Sequence, residues 1–167
     1  MPSPPPSSQF LFMSVRFVPE RIISGGQTGV DRGALDAAIT LGIDHGGWCP
    51  AGRLAEDGSV PPIYRLEELT SPSYPERTEK NVIESDATLI LYRKKMSGGT
   101  SLTQRICRRE SKPYLSVPID PKTESLGRIA AWLLNVRPKV LNVAGPRESN
   151  ASGIHAQTLA LMTAVLG

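Results

Sequence analysis

The chain has 167 residues, of which 40% are hydrophobic and 21% charged, and its net charge is +3. This composition is typical of one globular domain, and no apolar run approaches the roughly 18 residues of a membrane span. Aromatic residues make up only 5% and there are two cysteines, which argues against a base-stacking platform and a disulfide scaffold. Without an export signal, we expect a cytoplasmic protein with no membrane partner.

The first twelve residues are rich in Pro and Ser, which predicts a disordered tail over 1–12. Met13 is an alternative start. A single domain is expected over 13–167. Within it, short apolar runs alternate with segments of helical spacing.

The chain-order prediction gives five strands alternating with four or five helices. Strands are predicted at 21–24, 45–48, 87–92, 113–117 and 139–143. Helices are predicted at 31–41, 76–84, after Thr100 to about 109, and at 123–135 and 152–165. Residues 50–76, rich in Pro, Gly and charge, are predicted to form a long loop. The alternation predicts an α/β three-layer sandwich with a mostly parallel sheet.

Glycine clusters follow three of the predicted strands, at Gly25-Gly26, Gly98-Gly99 and Gly145. The carboxyl ends of parallel strands converge on one edge of the sheet, where ligands bind in open α/β folds. The sequence therefore predicts a ligand site at that edge.

The first cluster forms a strand-to-helix connection with the sequence Gly25-Gly26-Gln27-Thr28-Gly29. Glycine lets backbone amides approach an anion, and the helix start adds a positive dipole end. Thr28 can donate a hydroxyl and Arg32 a charge-assisted bond to phosphate. The spacing matches neither the P-loop nor the dinucleotide fingerprint. The prediction requires the amides of 25–29 to be free; the alternative is a turn that only packs tightly.

A second cluster, Gly98-Gly99-Thr100, repeats the arrangement after another strand. Two such segments on one edge favour a site for a phosphorylated small molecule over tight packing alone. Asp31 is interpreted as a helix cap or a partner of the helix dipole, in preference to an acid–base group. The remaining polar candidates near the strand ends, which could contact a ligand or form solvated surface, are Arg53, Glu56, Asp57, Asn142, Arg147 and Glu148.

Covalent and metal chemistry have little support in the sequence. His45 and His155 lie far apart, the Cys and His residues lack zinc-site spacing, and no GxSxG elbow is present. No catalytic residue and no metal ligand is therefore predicted.

Segments spread over most of the chain match one known family. They are 22–36, 46–53, 56–58, 86–90, 97–100 and 141–147, together with Tyr74, Arg77, Thr78 and Asn81. This co-linear pattern resembles the molybdenum carrier family. The resemblance implies a Rossmann-like fold shared with LONELY GUY-type phosphoribohydrolases and the DNA-processing A protein. It also implies a homo-oligomer, a dimer or tetramer, and molybdenum cofactor (molybdopterin), a pterin with a phosphate tail, as ligand.

The resemblance also defines the alternatives. LONELY GUY-type enzymes carry a PGGxGT motif followed by a glutamate, and residues 97–104 here lack both the proline and the glutamate. N-glycosidic cleavage loses its main catalytic carboxylate unless Asp31 or Glu56 enters the site. The favoured function is therefore a carrier, with a nucleotide or nucleoside-monophosphate hydrolase as the alternative. A nucleotide-sensing or nucleic-acid-binding module is the second alternative, and the low aromatic content and small net charge count against it.

Overall fold

The computed structural model describes residues 15–96 and 98–167. The predicted tail over 1–12, the alternative start at Met13 and Ser97 of the second glycine segment lie outside these ranges. Within them, no helix combines the length and apolar character needed to cross a membrane.

Nine strands and five helices are present in the described ranges. The long sheet contains β1 (Arg21–Ile23), β2 (Asp44–Gly46), β7 (Ala87–Tyr92), β8 (Tyr114–Pro118) and β9 (Val140–Ala144). The short strands are β3 (Trp48–Cys49), β4 (Leu54–Ala55), β5 (Gly58–Ser59) and β6 (Glu67–Glu68). The helices are α1 (Val30–Leu41), α2 (Tyr74–Ile83), α3 (Gly98–Arg109), α4 (Lys122–Val136) and α5 (Ile154–Leu166).

The central sheet is parallel throughout, with the strand order β2-β1-β9-β7-β8. Its central strands are rich in apolar residues because helices cover both faces, and Ala87 to Leu91 of β7 are all buried. Ile22 of β1 pairs with Leu141 of β9, and Leu89 of β7 pairs with Val143 of β9. This register brings the ends of β1, β9 and β7 side by side, which confirms the predicted Rossmann-like α/β architecture.

Two apolar layers hold the helices on the sheet. The larger core joins the strands to α1, α4 and α5. The smaller one contains Val82 of α2 with Ile106 and Cys107 of α3. Helices α1 and α5 approach closely at Gly33, where a Cβ atom would lie 2.6 Å from the carbonyl oxygen of His155.

Two sequence predictions need correction. The strand predicted over 45–48 is divided into β2 and β3 at Gly47, whose φ of 124° interrupts the extended chain. The segment 50–76 is not a plain loop, because β4 and β5 form a hairpin and β6 pairs with β3. Its apolar side chains are spread singly along the sequence, without periodicity. They nevertheless pack into a third core with Leu35 of α1, whose members from the segment are Ala55, Val60 and Tyr64.

Candidate functional site

A polar cleft of about 110 Å³ lies at the carboxyl ends of β1, β9 and β7. Gly25 lines it from the β1–α1 connection, Asp31 from the first turn of α1, and Arg77 from α2. Gly99 and Thr100 line it from the start of α3. The parallel topology produces this convergence, and the ligand edge predicted from the glycine clusters is the edge that contains the cleft.

Asp31 is the acidic group of the cleft and is only 6% exposed. One carboxylate oxygen, Oδ2, accepts the amide N–H of Gln27 at 3.2 Å and faces Arg77 Nη1 at 3.4 Å. Burial raises the pKa of Asp31 above its usual value of 3.8, while the Arg77 guanidinium and the Gln27 amide act in the opposite direction. Asp31 therefore places a buried carboxyl group, bound to an amide N–H and a guanidinium, on the wall of the cleft.

Arg77 is held in place by its packing against Gly25. A Cβ at Gly25 would collide with the Arg77 side chain, and Arg77 Nη1 donates to the Gly25 carbonyl at 3.1 Å. The ring of Tyr74 lies near two guanidinium groups, those of Arg77 and Arg147, each 5.5 Å from the ring centroid. Both arginines line the cleft, so its wall is positively charged.

The first turn of α3 opens into the same cleft. A Cβ at Gly98 or Gly99 would meet no atom within 4 Å, whereas Thr100 is buried to 4% exposure. The first N–H groups of a helix have no acceptor within the helix, and the dipole makes this end positive. Gly99 and Thr100 therefore place anion-binding groups on the wall of the cleft.

Two buried asparagines complete the wall of the cleft, and they differ in how much of their amide group is already hydrogen-bonded within the protein. Asn81 on α2 is bound through both ends of its amide to the backbone of Trp48, at 2.9 Å each. Asn142 on β9 donates its Nδ2 to Thr88 Oγ1 at 3.2 Å. Asn81 thus positions β3, while Asn142 has acceptor capacity left for other partners.

The backbone amides of the first glycine segment are largely used by the protein itself. The amide of Gly26 approaches Ser24 Oγ at 3.5 Å, and that of Thr28 donates to Gln27 Oε1 at 3.1 Å. The amide of Gln27 donates to the Asp31 carboxylate. The prediction that these three amides are free to cradle a phosphate is therefore wrong: an internal carboxylate already takes the anionic position.

Side chains of the same segment are also engaged elsewhere. Arg32 donates Nε to the Gly26 carbonyl at 3.0 Å and binds both oxygens of Asp57, at 2.6 and 2.8 Å. Thr28 donates its hydroxyl to Glu56 and accepts the Glu148 amide. Arg32 and Thr28 therefore hold the first glycine segment against Asp57, Glu56 and Glu148. Their predicted phosphate contacts stay predictions.

Gly26 and Gly29 serve close packing. A Cβ at Gly26 would lie 2.6 Å from Leu66 Cδ1, and one at Gly29 would lie 2.8 Å from the Glu148 backbone nitrogen. Both residues have positive φ, 74° and 85° respectively. They pack against the protein and lie outside the lining of the cleft, and their ligand contacts stay a prediction.

Arg53 was also a predicted ligand contact, which stays a prediction, and in the structure its side chain is bound within the protein. Its guanidinium donates to the carbonyls of Val60 at 3.0 Å, Pro61 at 2.9 Å and Tyr64 at 2.8 Å. Arg53 therefore holds together the folded segment that packs over α1. Glu56 likewise binds Thr28 and Ser149 outside the cleft. Partial burial acts to raise the pKa of Glu56, but the hydrogen bonds from Ser149 and Thr28 outweigh burial and lower this pKa below its usual value.

Several cleft residues were missed as site candidates in the sequence. Arg77, Thr78 and Asn81 appeared only as matching positions of the family resemblance, although their helical spacing places polar groups on one face of α2. Thr103 and Asn150 gave no signal. Asn142 and Arg147, weaker candidates beside the third glycine turn, do line the cleft. The two cysteines are buried away from it, and burial raises the pKa of both thiols.

Comparison with known proteins extends this description. A family model for the circularly permutated YpsA SLOG family matches residues 22–166. A solved structure, a putative molybdenum carrier protein from Syntrophus aciditrophicus SB, is 41% identical with a TM-score of 0.89. The match covers 93% of this chain and 99% of that one. A search among curated proteins finds no match. The similarity therefore extends over the whole sheet and every element that lines the cleft.

Proposed function

The chain belongs to the circularly permutated YpsA SLOG family, and from this premise we propose that it is a carrier protein whose cleft holds a small phosphate-bearing ligand. The observation that carries the proposal is the open first turn of α3 at the carboxyl edge of the sheet. A phosphate there would meet the first N–H groups of the helix and the positive end of the helix dipole. Gly98, Gly99 and Thr100 are the proposed phosphate-binding residues.

Charge in the cleft wall supports an anionic ligand. The Arg147 side chain is 37% exposed and lies 3.9 Å from its acidic neighbour Glu56, a long contact for an ion pair. Its guanidinium can therefore turn toward a bound phosphate at little cost. Arg77 is less available because it already faces Asp31.

The size of the cleft limits how much of a ligand it encloses. Pockets that bury a whole drug-sized molecule usually measure about 300–1,000 Å³. The cavity here, about 110 Å³, is large enough for a phosphate and the group next to it. The rest of the ligand would extend over the rim, near Tyr74 and Arg147.

The name of the similar solved structure directs the proposal to molybdenum cofactor. Its pterin ends in a phosphate that suits α3, and the ring system would lie at the rim. Among the described residues no cluster of three or more His, Cys, Asp or Glu could hold a metal ion. The protein would therefore bind molybdenum cofactor through the organic part of the cofactor. The expected homo-oligomer and the cytoplasmic location remain predictions.

Anaerobic calorimetry tests the proposal with three probes: molybdenum cofactor, AMP and adenosine. We expect the two phosphorylated compounds to bind and adenosine to give no heat. Binding of AMP without binding of molybdenum cofactor would mean that the ligand is a nucleotide and not the cofactor. Equal affinity for adenosine and AMP would reject the phosphate anchor.

One observation favours a second candidate, a nucleoside-monophosphate hydrolase. The buried carboxyl of Asp31 lies inside the cleft, where it could steady a developing positive charge on a ribosyl carbon. Incubation with a panel of nucleoside monophosphates and chromatography for free base tests this. Release of base by the parent chain and its loss in Asp31→Asn would support hydrolysis, and an inert parent chain would reject it.

A further inference from the structure

We infer that Tyr114 is a nucleophilic tyrosine, a site open to covalent modification by activated acyl groups. The residue begins β8 and lies beside the last two turns of α3, outside the lining of the ligand cleft. The inference is therefore independent of the proposed function.

The phenol oxygen of Tyr114 accepts two hydrogen bonds from side chains of α3. Arg108 donates its Nε at 2.8 Å and Gln104 donates its Nε2 at 3.3 Å. The guanidinium carbon of Arg108 also lies 5.8 Å from the centroid of the tyrosine ring. Among the described residues, none accepts a hydrogen bond from the Tyr114 hydroxyl. Two donors on the oxygen stabilise the phenolate more than the phenol, because the negative oxygen is the stronger acceptor.

The surroundings of this hydroxyl favour its ionised form. The hydrogen bonds from Gln104 and Arg108 hold the pKa of Tyr114 below its usual value of 10.0, and they outweigh the partial burial of the ring and the neighbouring Cys107 thiol, which act to raise it. A larger fraction of the hydroxyl is therefore ionised near neutral pH than in an ordinary tyrosine. The phenolate is the form that attacks an electrophile.

The other three tyrosines lack this arrangement. Tyr64 is buried and donates its hydroxyl to Asp36 at 2.6 Å, and burial together with this carboxylate raises the pKa of the phenol. Tyr74 lies near two guanidinium groups, but its hydroxyl, like that of Tyr92, makes no hydrogen bond to any described residue. All four tyrosines belong to the described ranges, and within them only Tyr114 combines a partly exposed ring with donors aimed at the phenol oxygen.

Reagents can reach the Tyr114 hydroxyl from solvent. The ring packs against apolar residues of α2 and α3, whereas Arg108, which binds the oxygen, is exposed. Strand β8 is also the last strand of the central sheet, so no further strand of the described chain covers its outer side. In the reaction, the phenolate oxygen forms a bond to the acyl carbon and the bond from that carbon to the leaving group breaks. The leaving group departs with the electron pair and takes up the proton that the phenol has lost.

N-acetylimidazole tests the inference, because it transfers an acetyl group to phenol oxygens and releases imidazole. Initial rates at each tyrosine are measured by peptide mass spectrometry, and hydroxylamine, which removes acetyl groups from phenols but not from lysines, confirms the ester. We expect Tyr114 to react at least about three-fold faster than Tyr74 or Tyr92. Arg108→Gln should reduce the rate at Tyr114 to that at Tyr74. Arg105→Gln removes the same charge from an exposed residue one turn earlier in α3 and should leave the rate at Tyr114 nearly unchanged.

Equal rates at Tyr114 and Tyr74 in the parent chain, or an unchanged rate at Tyr114 in Arg108→Gln, would overturn the inference. A contact of Arg108 that serves packing alone would give the second result. An alkaline titration followed by phenolate absorbance is the independent measurement. The difference between the parent chain and Tyr114→Phe should have its midpoint below pH 10.0, and Arg108→Gln should raise that midpoint. A midpoint at or above 10.0 in the parent chain would also reject the inference.

Discussion

The two glycine segments at the carboxyl edge look alike in sequence and differ in the structure. In the first, over 25–29, a Cβ at Gly29 would collide with the backbone of the 146–148 turn, and the Gln27 amide is bound to Asp31. In the second, a Cβ at Gly98 or Gly99 would meet nothing within 4 Å. One segment is packed against the protein and the other faces open space.

The difference shows that glycine after a strand has two distinct uses. At Gly29 the residue is required because φ is positive and another backbone lies close. At Gly99 the absence of a side chain leaves room in a cleft. Only the second use points to a ligand, and the two can be separated by substitution.

The largest expected effect is the loss of stability in Gly29→Ala. The added Cβ would lie 2.8 Å from the Arg147 carbonyl carbon and the Glu148 nitrogen, and a backbone contact cannot move aside cheaply. With the cost of positive φ included, we expect about 3 kcal/mol or more, measured by urea unfolding.

Gly42→Ala is the matched control for that variant. Gly42 also has positive φ, 70°, but its Cβ would meet nothing within 4 Å. Its substitution should cost only about 1–2 kcal/mol, the cost of the left-handed conformation alone. Equal losses in the two variants would show that the first segment is not closely packed.

The next effect concerns Arg53, which holds the segment that covers the first glycine cluster. Arg53→Gln leaves the carbonyls of Val60, Pro61 and Tyr64 without their guanidinium donor. We expect a loss of about 2 kcal/mol in unfolding free energy, with affinity for ribose 5-phosphate unchanged. Arg53→Lys keeps the charge without the fork of donors and should lose nearly as much. A stable variant that no longer binds ribose 5-phosphate would show that Arg53 belongs to the ligand site.

Much of the fold was predictable because its signals are local. The run Ala87–Tyr92 is apolar at every position except Thr88, as expected of a strand covered on both faces, and Gly42 ends α1 as expected. The location of the cleft followed from the same evidence, since parallel strands have their carboxyl ends at one edge.

The use of individual amides could not be predicted, because it depends on contacts distant in sequence. Whether Thr28 is free is decided by Glu56 and by the Glu148 amide, and nothing near Thr28 encodes that approach. Arg77 enters the cleft only because α2 packs against β3 and α3, with Gly25 leaving room for its side chain. Asp31 was correctly placed at the helix start, but its role as the internal anion of the first segment was not foreseen.

The open segment is tested by Gly99→Val, which places a branched side chain in the cleft beside the start of α3. We expect the affinity for ribose 5-phosphate to fall by about ten-fold or more, with unfolding free energy changed by less than about 1 kcal/mol. Gly127→Val is the control, because Gly127 is an exposed helical residue whose Cβ would also meet nothing within 4 Å. Normal binding by Gly99→Val would place the ligand elsewhere.

The smallest effect measures what an anion contributes at a helix start in this fold. Glu148 accepts the amides of Gly153 at 2.5 Å and His155 at 3.0 Å, so an internal carboxylate caps α5 as a ligand phosphate would cap α3. These bonds hold the pKa of Glu148 below its usual value of 4.5. The stabilisation is therefore complete above that pH and is lost as the pH falls through the folded-state pKa. Glu148→Gln should lower the unfolding free energy by about 1 kcal/mol at pH 7 and by progressively less below pH 4.5. Thermal unfolding measured across that pH range checks this. A cost independent of pH would mean that shape rather than charge caps α5, and would weaken the argument from helix dipole to phosphate at α3.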